Sequence, residues 1–135
     1  MERERIERLL AEPRDVIVAA IRKDGRPQMT PNWFHWDGSR FWISTTRGRY
    51  KYRNLTRDPR CQLLFDDPGG VLLVDGRAEI REDLDSACDV LRAVKTKHGD
   101  VFEEAEMRAQ AAAEGRVAIV VTPDRPVEAW TAWFE

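Results

Sequence analysis

Apolar residues along this chain follow two periods, and the switches between them mark out strands and helices. Ile6, Leu9 and Leu10 sit at helical spacing in a charged stretch and predict a short amphipathic helix ending before Pro13. Residues 16–22 are β-branched and apolar, the composition of a buried strand. Asp24-Gly25 separates this run from a second one at residues 28–36, and Asp-Gly between two such runs predicts a hairpin. Pro31 interrupts the second run; with no N–H to give to a ladder, it predicts an edge or a bulge. Asp37-Gly38 predicts another hairpin turn, into residues 40–45, so the first half reads as a three-stranded meander.

Residues 46–57 change character. Tyr52 and Leu55 lie three apart, and Lys51 and Leu55 four apart, which predicts a short helix closed by Asp58-Pro59. Residues 60–65 and 71–81 predict strands on either side of an Asp/Pro/Gly turn, with Gly76 read as a bulge. From Leu84 the period becomes helical through Ala87, Cys88, Leu91, Val94 and His98, until Gly99 breaks it. Residues 103–114, rich in alanine and charge, predict a further helix closed by Gly115. Residues 117–121 and 127–134 predict the last strands, with Pro123 and Pro126 at the turn. About seven short strands in one domain of 135 residues call for a closed sheet, because a barrel removes the exposed edges.

Composition narrows the function more than the fold. The chain is 42% hydrophobic and 34% charged, a globular balance. One core of this size leaves much surface open, so a partner subunit is favoured. A net charge of −2 offers no general attraction for nucleic acid, and no nucleic-acid partner is expected. The longest apolar runs, 16–21 and 117–121, are too short to span a bilayer, and the charged N-terminus has no signal-peptide core. No membrane association is expected. Cys61 and Cys88 lack metal spacing and read as reduced thiols of a cytoplasmic protein. His35 and His98 lack the partners of a zinc site, so no metal is expected. His35 reads as a surface or interface histidine, and His98 as a cation favoured at a helix end. The five tryptophans fit either a flat aromatic ligand or a tightly packed small barrel.

One segment carries chemistry. Six basic residues, Arg47, Arg49, Lys51, Arg53, Arg57 and Arg60, fall within fourteen positions that hold one acid, Asp58. The hydroxyls of Ser44, Thr45 and Thr46 precede them at a strand end. A strand end, a glycine and a helix start present free N–H groups and a positive dipole, which suit an anion. Arg49 can grip a phosphate with two parallel hydrogen bonds, and Lys51 adds a point charge. If the segment stays extended, residues 47, 49 and 51 lie on one side. A solvated basic helix face is the competing reading.

The chain also resembles the pyridoxamine-5′-phosphate-oxidase-like split-barrel family, and within it the deazaflavin-dependent oxidoreductases. The matching residues are Gly25-Arg26-Pro27, Thr30-Pro31-Asn32-Trp33-Phe34, Trp36-Asp37-Gly38 and Trp42-Ile43-Ser44-Thr45-Thr46. They continue with Arg49, Lys51, Arg53-Asn54-Leu55, Asp58-Pro59-Arg60, Val74-Asp75-Gly76-Arg77-Ala78 and Thr122-Pro123. The ordered set covers nearly the whole chain. It implies a mainly β, FMN-binding-like split β-barrel with helices, assembled as a homodimer with shared sites. It implies that Arg49 and Lys51 hold a cofactor phosphate, with Ser44, Thr45 and Thr46 donating nearby and Asn54 supporting the loop. Thr30, Pro31, Asn32 and Trp33 would run beside the ring, and Trp130 or Trp133 of the other subunit would complete the site. The implied activity is hydride transfer from coenzyme F420 to a small unsaturated or quinone-like substrate. FMN on the same fold and a cofactor carrier without turnover are the alternatives.

Overall fold

The computed structural model describes residues 2–134. Helix α1 (Glu2–Ala11) leads into strands β1 (Val16–Ile21), β2 (Pro27–Asn32), β3 (His35–Trp36) and β4 (Phe41–Thr46). Helix α2 (Tyr50–Arg57) follows, then β5 (Arg60–Asp67), β6 (Gly70–Arg81), α3 (Leu84–Lys97) and α4 (Glu104–Glu114). Strand β7 (Arg116–Pro123), a short 3-10 turn (Val127–Ala129) and β8 (Thr131–Phe134) complete the chain. The strands form one antiparallel sheet in the order β2-β1-β5-β6-β7-β4-β3, with β8 also paired to β6. This is a mainly β split barrel with four helices.

The turn signals correspond to real turns. Gly25 and Gly38 take φ of 88° and 98°, a left-handed region that glycine enters without strain, and each sits in the predicted hairpin. Three expectations change. The run 28–36 is two strands, not one, and there are eight strands rather than seven. β2 pairs with β1, whereas β3 pairs with β4 at the far end of the sheet, so there is no local three-stranded meander. Residues 33–34 carry the chain from one end of the sheet to the other, and the barrel closes through this covalent corner instead of a hydrogen-bonded seam. Pro31 does lie on an edge strand, where its missing N–H costs no ladder bond.

Gly76 is not a bulge. The β5–β6 register runs unbroken from Arg60↔Arg77 to Asp67↔Gly70. A Cβ at Gly76 would lie 2.7 Å from Val121 Cγ1 and 2.9 Å from the Thr122 carbonyl, so the glycine lets β7 approach β6 closely. The predicted last strand, 127–134, begins with a 3-10 turn and is extended only from Thr131.

Alternating residues fill the barrel. Val16, Val18, Phe41, Ile43, Leu63, Phe65, Leu72, Val74, Ile119 and Val121 are all buried in one core. Phe34 plugs the corner, with its ring 5.0 Å from Phe65 and 6.1 Å from Phe41. The opposite side of β7 is also covered: Ala118 packs with Val90 and Val94 of α3 and with Trp42. That explains why β7 reads as a continuous apolar run rather than an alternating one. Among the described residues, no helix is long and apolar enough to cross a membrane.

Candidate functional site

The open end of the sheet, between β2 and the junction of β4 with α2, is where the predicted chemistry gathers. Strand β4 alternates strictly, so Thr45 points into the core beside Phe41 and Ile43, while Ser44 and Thr46 share the other face with Trp42. The three hydroxyls therefore do not act as a group. Thr46 lies opposite Arg116 at the start of β7, and Arg116 Nη1 donates to Ser44 Oγ at 3.2 Å.

Helix α2 begins at Tyr50, so residues 47, 49 and 51 do not continue one extended face. Arg47 turns away, with its Nε 2.9 Å from Glu82 Oε1, and Tyr52 Oη donates to the same carboxylate at 2.8 Å. Arg49 is exposed and occupies the N-cap without a side-chain cap bond, and the first turn holds no acidic residue. Helix starts favour Ser, Thr, Asp or Asn at this position, so here the orphan N–H groups lack their usual acceptor.

Lys51 points inward and is only 7% exposed. Its amine donates to Asn32 Oδ1, which ties α2 to the end of β2. Asn32 Nδ2 in turn donates to the Thr30 carbonyl at 2.8 Å and to Thr30 Oγ1 at 3.2 Å. Burial pushes the Lys51 ammonium down to about 8, and the positive charges of Arg49 and Arg116 push in the same direction. Lys51 itself has no carboxylate partner, and of the three cations gathered around Ser44 and Asn32, Arg116 is paired with Glu114 at 3.0 Å. Asn54 plays a bracing role one turn further on. Its Nδ2 donates to Gln28 Oε1 at 3.1 Å, and it accepts from Arg57 Nη2 at 3.0 Å.

Two cavities flank this cluster. One, of about 240 Å³, has Asn32, Trp33, Ser44 and Arg116 on one side and Leu91, Val94 and Lys95 of α3 on the other. The second, of about 500 Å³, opens beside Asn54 between Tyr50 and the β1–β2 turn, where Arg22, Lys23 and Asp24 line it. Trp33 is 38% exposed, and His98 stacks on it at 3.9 Å with planes 7° apart. His98 is the C-cap of α3, the helix end that the sequence predicts, and its ring is held by Trp33. Burial and the nearby Lys97 charge lower its pKa, which favours the neutral ring in this stack. His35 stands apart from the cluster, lining a groove between α1 and α3 that also includes Trp36 and Lys97.

The tryptophans near the C-terminus separate clearly. Trp130 is core: its ring lies 5.4 Å from Trp36 and 5.8 Å from Phe41, and its Nε1 donates to the Arg125 carbonyl at 2.9 Å. It is not available to another subunit. Trp133 is 65% exposed and opposite Val71 on β6. The neighbours Pro31↔Ile17, Ile17↔Leu64, Leu64↔Leu73 and Leu73↔Thr131 form one row across the sheet. Four strand spacings thus part β2 from β8, roughly 19 Å along the sheet. Trp133 cannot reach the cluster of its own protomer.

Arg116 is the residue that sequence reasoning missed. Its neighbour Gly115 was legible as a helix cap, but nothing local reveals that β7 pairs with β4, a partner some seventy residues away.

Residues 3–129 match the pyridoxamine 5'-phosphate oxidase family. The chain belongs to that family. Among solved structures it is similar to an F420 reductase, at 31% identity over 88% of this chain and 93% of that one, with a TM-score of 0.74. It is also similar to a conserved hypothetical protein from Mycobacterium tuberculosis, at 26% identity over 99% and 85% of the two chains, with a TM-score of 0.83. HutZ, the heme storage protein of Vibrio cholerae, shares the fold at 14% identity, with a TM-score of 0.71 over 97% and 92% of the chains. Membership in the pyridoxamine 5'-phosphate oxidase family makes a flavin-type oxidoreductase the relevant functional class, and the cation cluster is the feature to explain within it.

Proposed function

We propose that this protein is an oxidoreductase that binds coenzyme F420 through its phosphate and acts, as a homodimer, on a small unsaturated or quinone-like substrate. The observation that carries the reading is Lys51, an amine held in a buried position among like charges. Such an arrangement is costly on its own and becomes favourable when an anion arrives. A phosphate seated there would accept from Lys51, from Arg49 and from the hydroxyls of Ser44 and Thr46, with the unfilled first turn of α2 adding N–H groups. Thr30, Pro31, Asn32 and Trp33 would flank the ring, and the buried Thr45 and braced Asn54 would hold the phosphate loop in shape. When bound, the cofactor supplies the hydride chemistry; the protein orients it and keeps water away.

Two observations favour F420 over FMN. One is the 31% identity to an F420 reductase. The other is the second cavity, where Arg22 and Lys23 lie on the far side of Asn54 from the cluster. Arg22 is paired with Asp24 at 3.0 Å, which leaves one net positive charge there for the additional acidic groups of a deazaflavin tail, which FMN lacks. The test is a parallel titration with FMN and F420, read by tryptophan fluorescence. Tighter saturable quenching by F420 is expected. Preference for FMN would move the protein to the FMN-dependent alternative, and turnover-free retention of either would make it a carrier.

Lys51 also sets a pH dependence. In the free protein its ammonium loses a proton near pH 8. A bound phosphate would raise that value, so binding above pH 8 requires proton uptake, and affinity should fall by up to about tenfold per pH unit. Below about pH 6 a phosphomonoester such as FMN gains a proton and should bind more weakly, whereas a phosphate esterified on both sides, as in a tailed deazaflavin, stays ionised and should hold its affinity. A titration series from pH 6 to 10 checks this; affinity that rises with pH would remove Lys51 from the site.

The homodimer reading rests on the outer sheet face. Pro31, Ile17, Leu64, Leu73 and Thr131 form the cross-sheet row, Met29 is 63% exposed, and Trp133 stands beside the row's end. An isologous two-fold through the row's centre, at Leu64, would lay the β8 end of one protomer over the β2 end of the other. The partner subunit's Trp133 would then approach the cofactor strand. Light scattering should show a dimer at micromolar concentration and a monomer for Leu64→Glu. A wild-type monomer that binds cofactor fully would refute shared sites. The buried free thiols of Cys61 and Cys88 suit a reducing cytoplasm.

A further inference from the structure

The smaller cavity has a wall that the phosphate cluster does not use. Leu91, Val94 and Lys95 of α3 face it opposite Ser44 and Arg116. The indole of Trp33, held flat against His98, adds a rigid planar side. Its volume of about 240 Å³ lies below the roughly 300–1,000 Å³ of drug-sized sites, so the occupant is small.

Charge decides what kind of small molecule fits. Arg116 Nε pairs with Glu114 at 3.0 Å, and the Lys95 charge also influences that carboxylate. One acid against these two cations leaves one net positive charge between Lys95 and Arg116, and Lys51 adds its own behind Asn32, so the cavity edge favours an anion. Asn32 and Ser44 add hydrogen-bonding groups, and Leu91, Val94 and Trp33 supply the apolar and aromatic faces. A cation beside two aliphatic side chains and a fixed indole face matches a compact, planar, singly negative molecule.

We infer that the cavity between Trp33 and α3 is the substrate pocket, and that it takes a small conjugated monocarboxylate whose acid group meets Lys95 and Arg116. Its role as a substrate pocket rests on the oxidoreductase reading above; the binding itself does not. Lys95 is the discriminating residue, because it lies on α3, outside the cradle of Lys51 and Arg49.

The experiment uses the purified full chain without cofactor and two probes of nearly equal shape, trans-cinnamate and its neutral amide, followed by protein NMR. Cinnamate should bind with shifts at Trp33 and α3, and the amide should bind about tenfold more weakly or worse. Lys95→Gln should weaken cinnamate by about tenfold, leave the amide unchanged and leave the cofactor titration unchanged, while Lys95→Arg should retain cinnamate binding. Equal binding of acid and amide, binding of neither, or no effect of Lys95→Gln would overturn the assignment. The parallel cofactor titration separates the two readings. Selective cinnamate binding without cofactor binding would sink the cofactor proposal and leave the pocket standing; the reverse result would sink the pocket alone.

Discussion

Lys51→Met should weaken cofactor binding by roughly 10- to 150-fold, the equivalent of about 1.5–3 kcal/mol for a lost charged hydrogen bond. The same substitution should leave the fold as stable as before, or more stable. The reason is the direction of the Lys51 shift. Its ammonium ionises near 8 in the folded chain against 10.5 when free. A lowered lysine value means that the folded state disfavours the proton. That penalty is fully present below pH 8 and disappears as the pH rises toward 10.5. At neutral pH it is of order 3 kcal/mol, reduced by the bond to Asn32. Methionine keeps the stem and removes the charge, so the penalty goes, while Asn32 loses a donor. A side chain that costs stability yet sits at the centre of three cations is what a binding residue looks like. The check is a cofactor titration beside a urea melt. Loss of stability with binding intact would show that Lys51 is structural, and unchanged binding with unchanged stability would place the phosphate elsewhere.

Phe34→Ala should be the most destabilising single change in the corner. Phe34 is fully buried, packs edge-on to Phe65, and its ring lies beneath the Lys97 amine at 3.7 Å. Lys97 also donates to the Phe34 carbonyl at 3.3 Å and to the Leu10 carbonyl at 2.7 Å, so this residue locks α3, α1 and the strand switch together. Truncating a buried phenylalanine costs about 3–5 kcal/mol. That is a large share of the 5–15 kcal/mol typical of a domain, and it should lower the melting temperature by roughly 10–20 °C. Trp33→Ala, one residue earlier, removes a side chain that is partly in solvent and should cost much less. The pair is therefore a control for the corner. A loss below about 1 kcal/mol for Phe34→Ala would mean that the barrel does not depend on this plug.

The contrast between these two neighbours shows where sequence reasoning succeeds and where it stops. The alternation of residues 41–46 was legible, and it places Phe41, Ile43 and Thr45 inside and Ser44 and Thr46 outside. That period separates Thr45 from Ser44 and Thr46, so the three hydroxyls do not form one donor set. The basic segment was legible as an anomaly of charge, but whether Lys51 pointed to water or inward was not. The period of a short helix says which residues share a face, not what the face meets.

What the sequence determined by itself is local. Asp24-Gly25 and Asp37-Gly38 make hairpin turns because glycine alone enters their backbone region without strain. The apolar period of residues 84–98 makes α3, and Gly115 ends α4. Each of these needs only neighbours in the chain. Tertiary structure decided the rest: that the run 28–36 breaks at residues 33–34 and joins opposite ends of the sheet, that Arg116 meets Ser44, that His98 stacks on Trp33, and that Trp133 lies four strands from Pro31. The physical reason is common to all four. A strand's own pattern fixes its inward and outward faces, but its partner is chosen by burial of the whole core, which no local window contains.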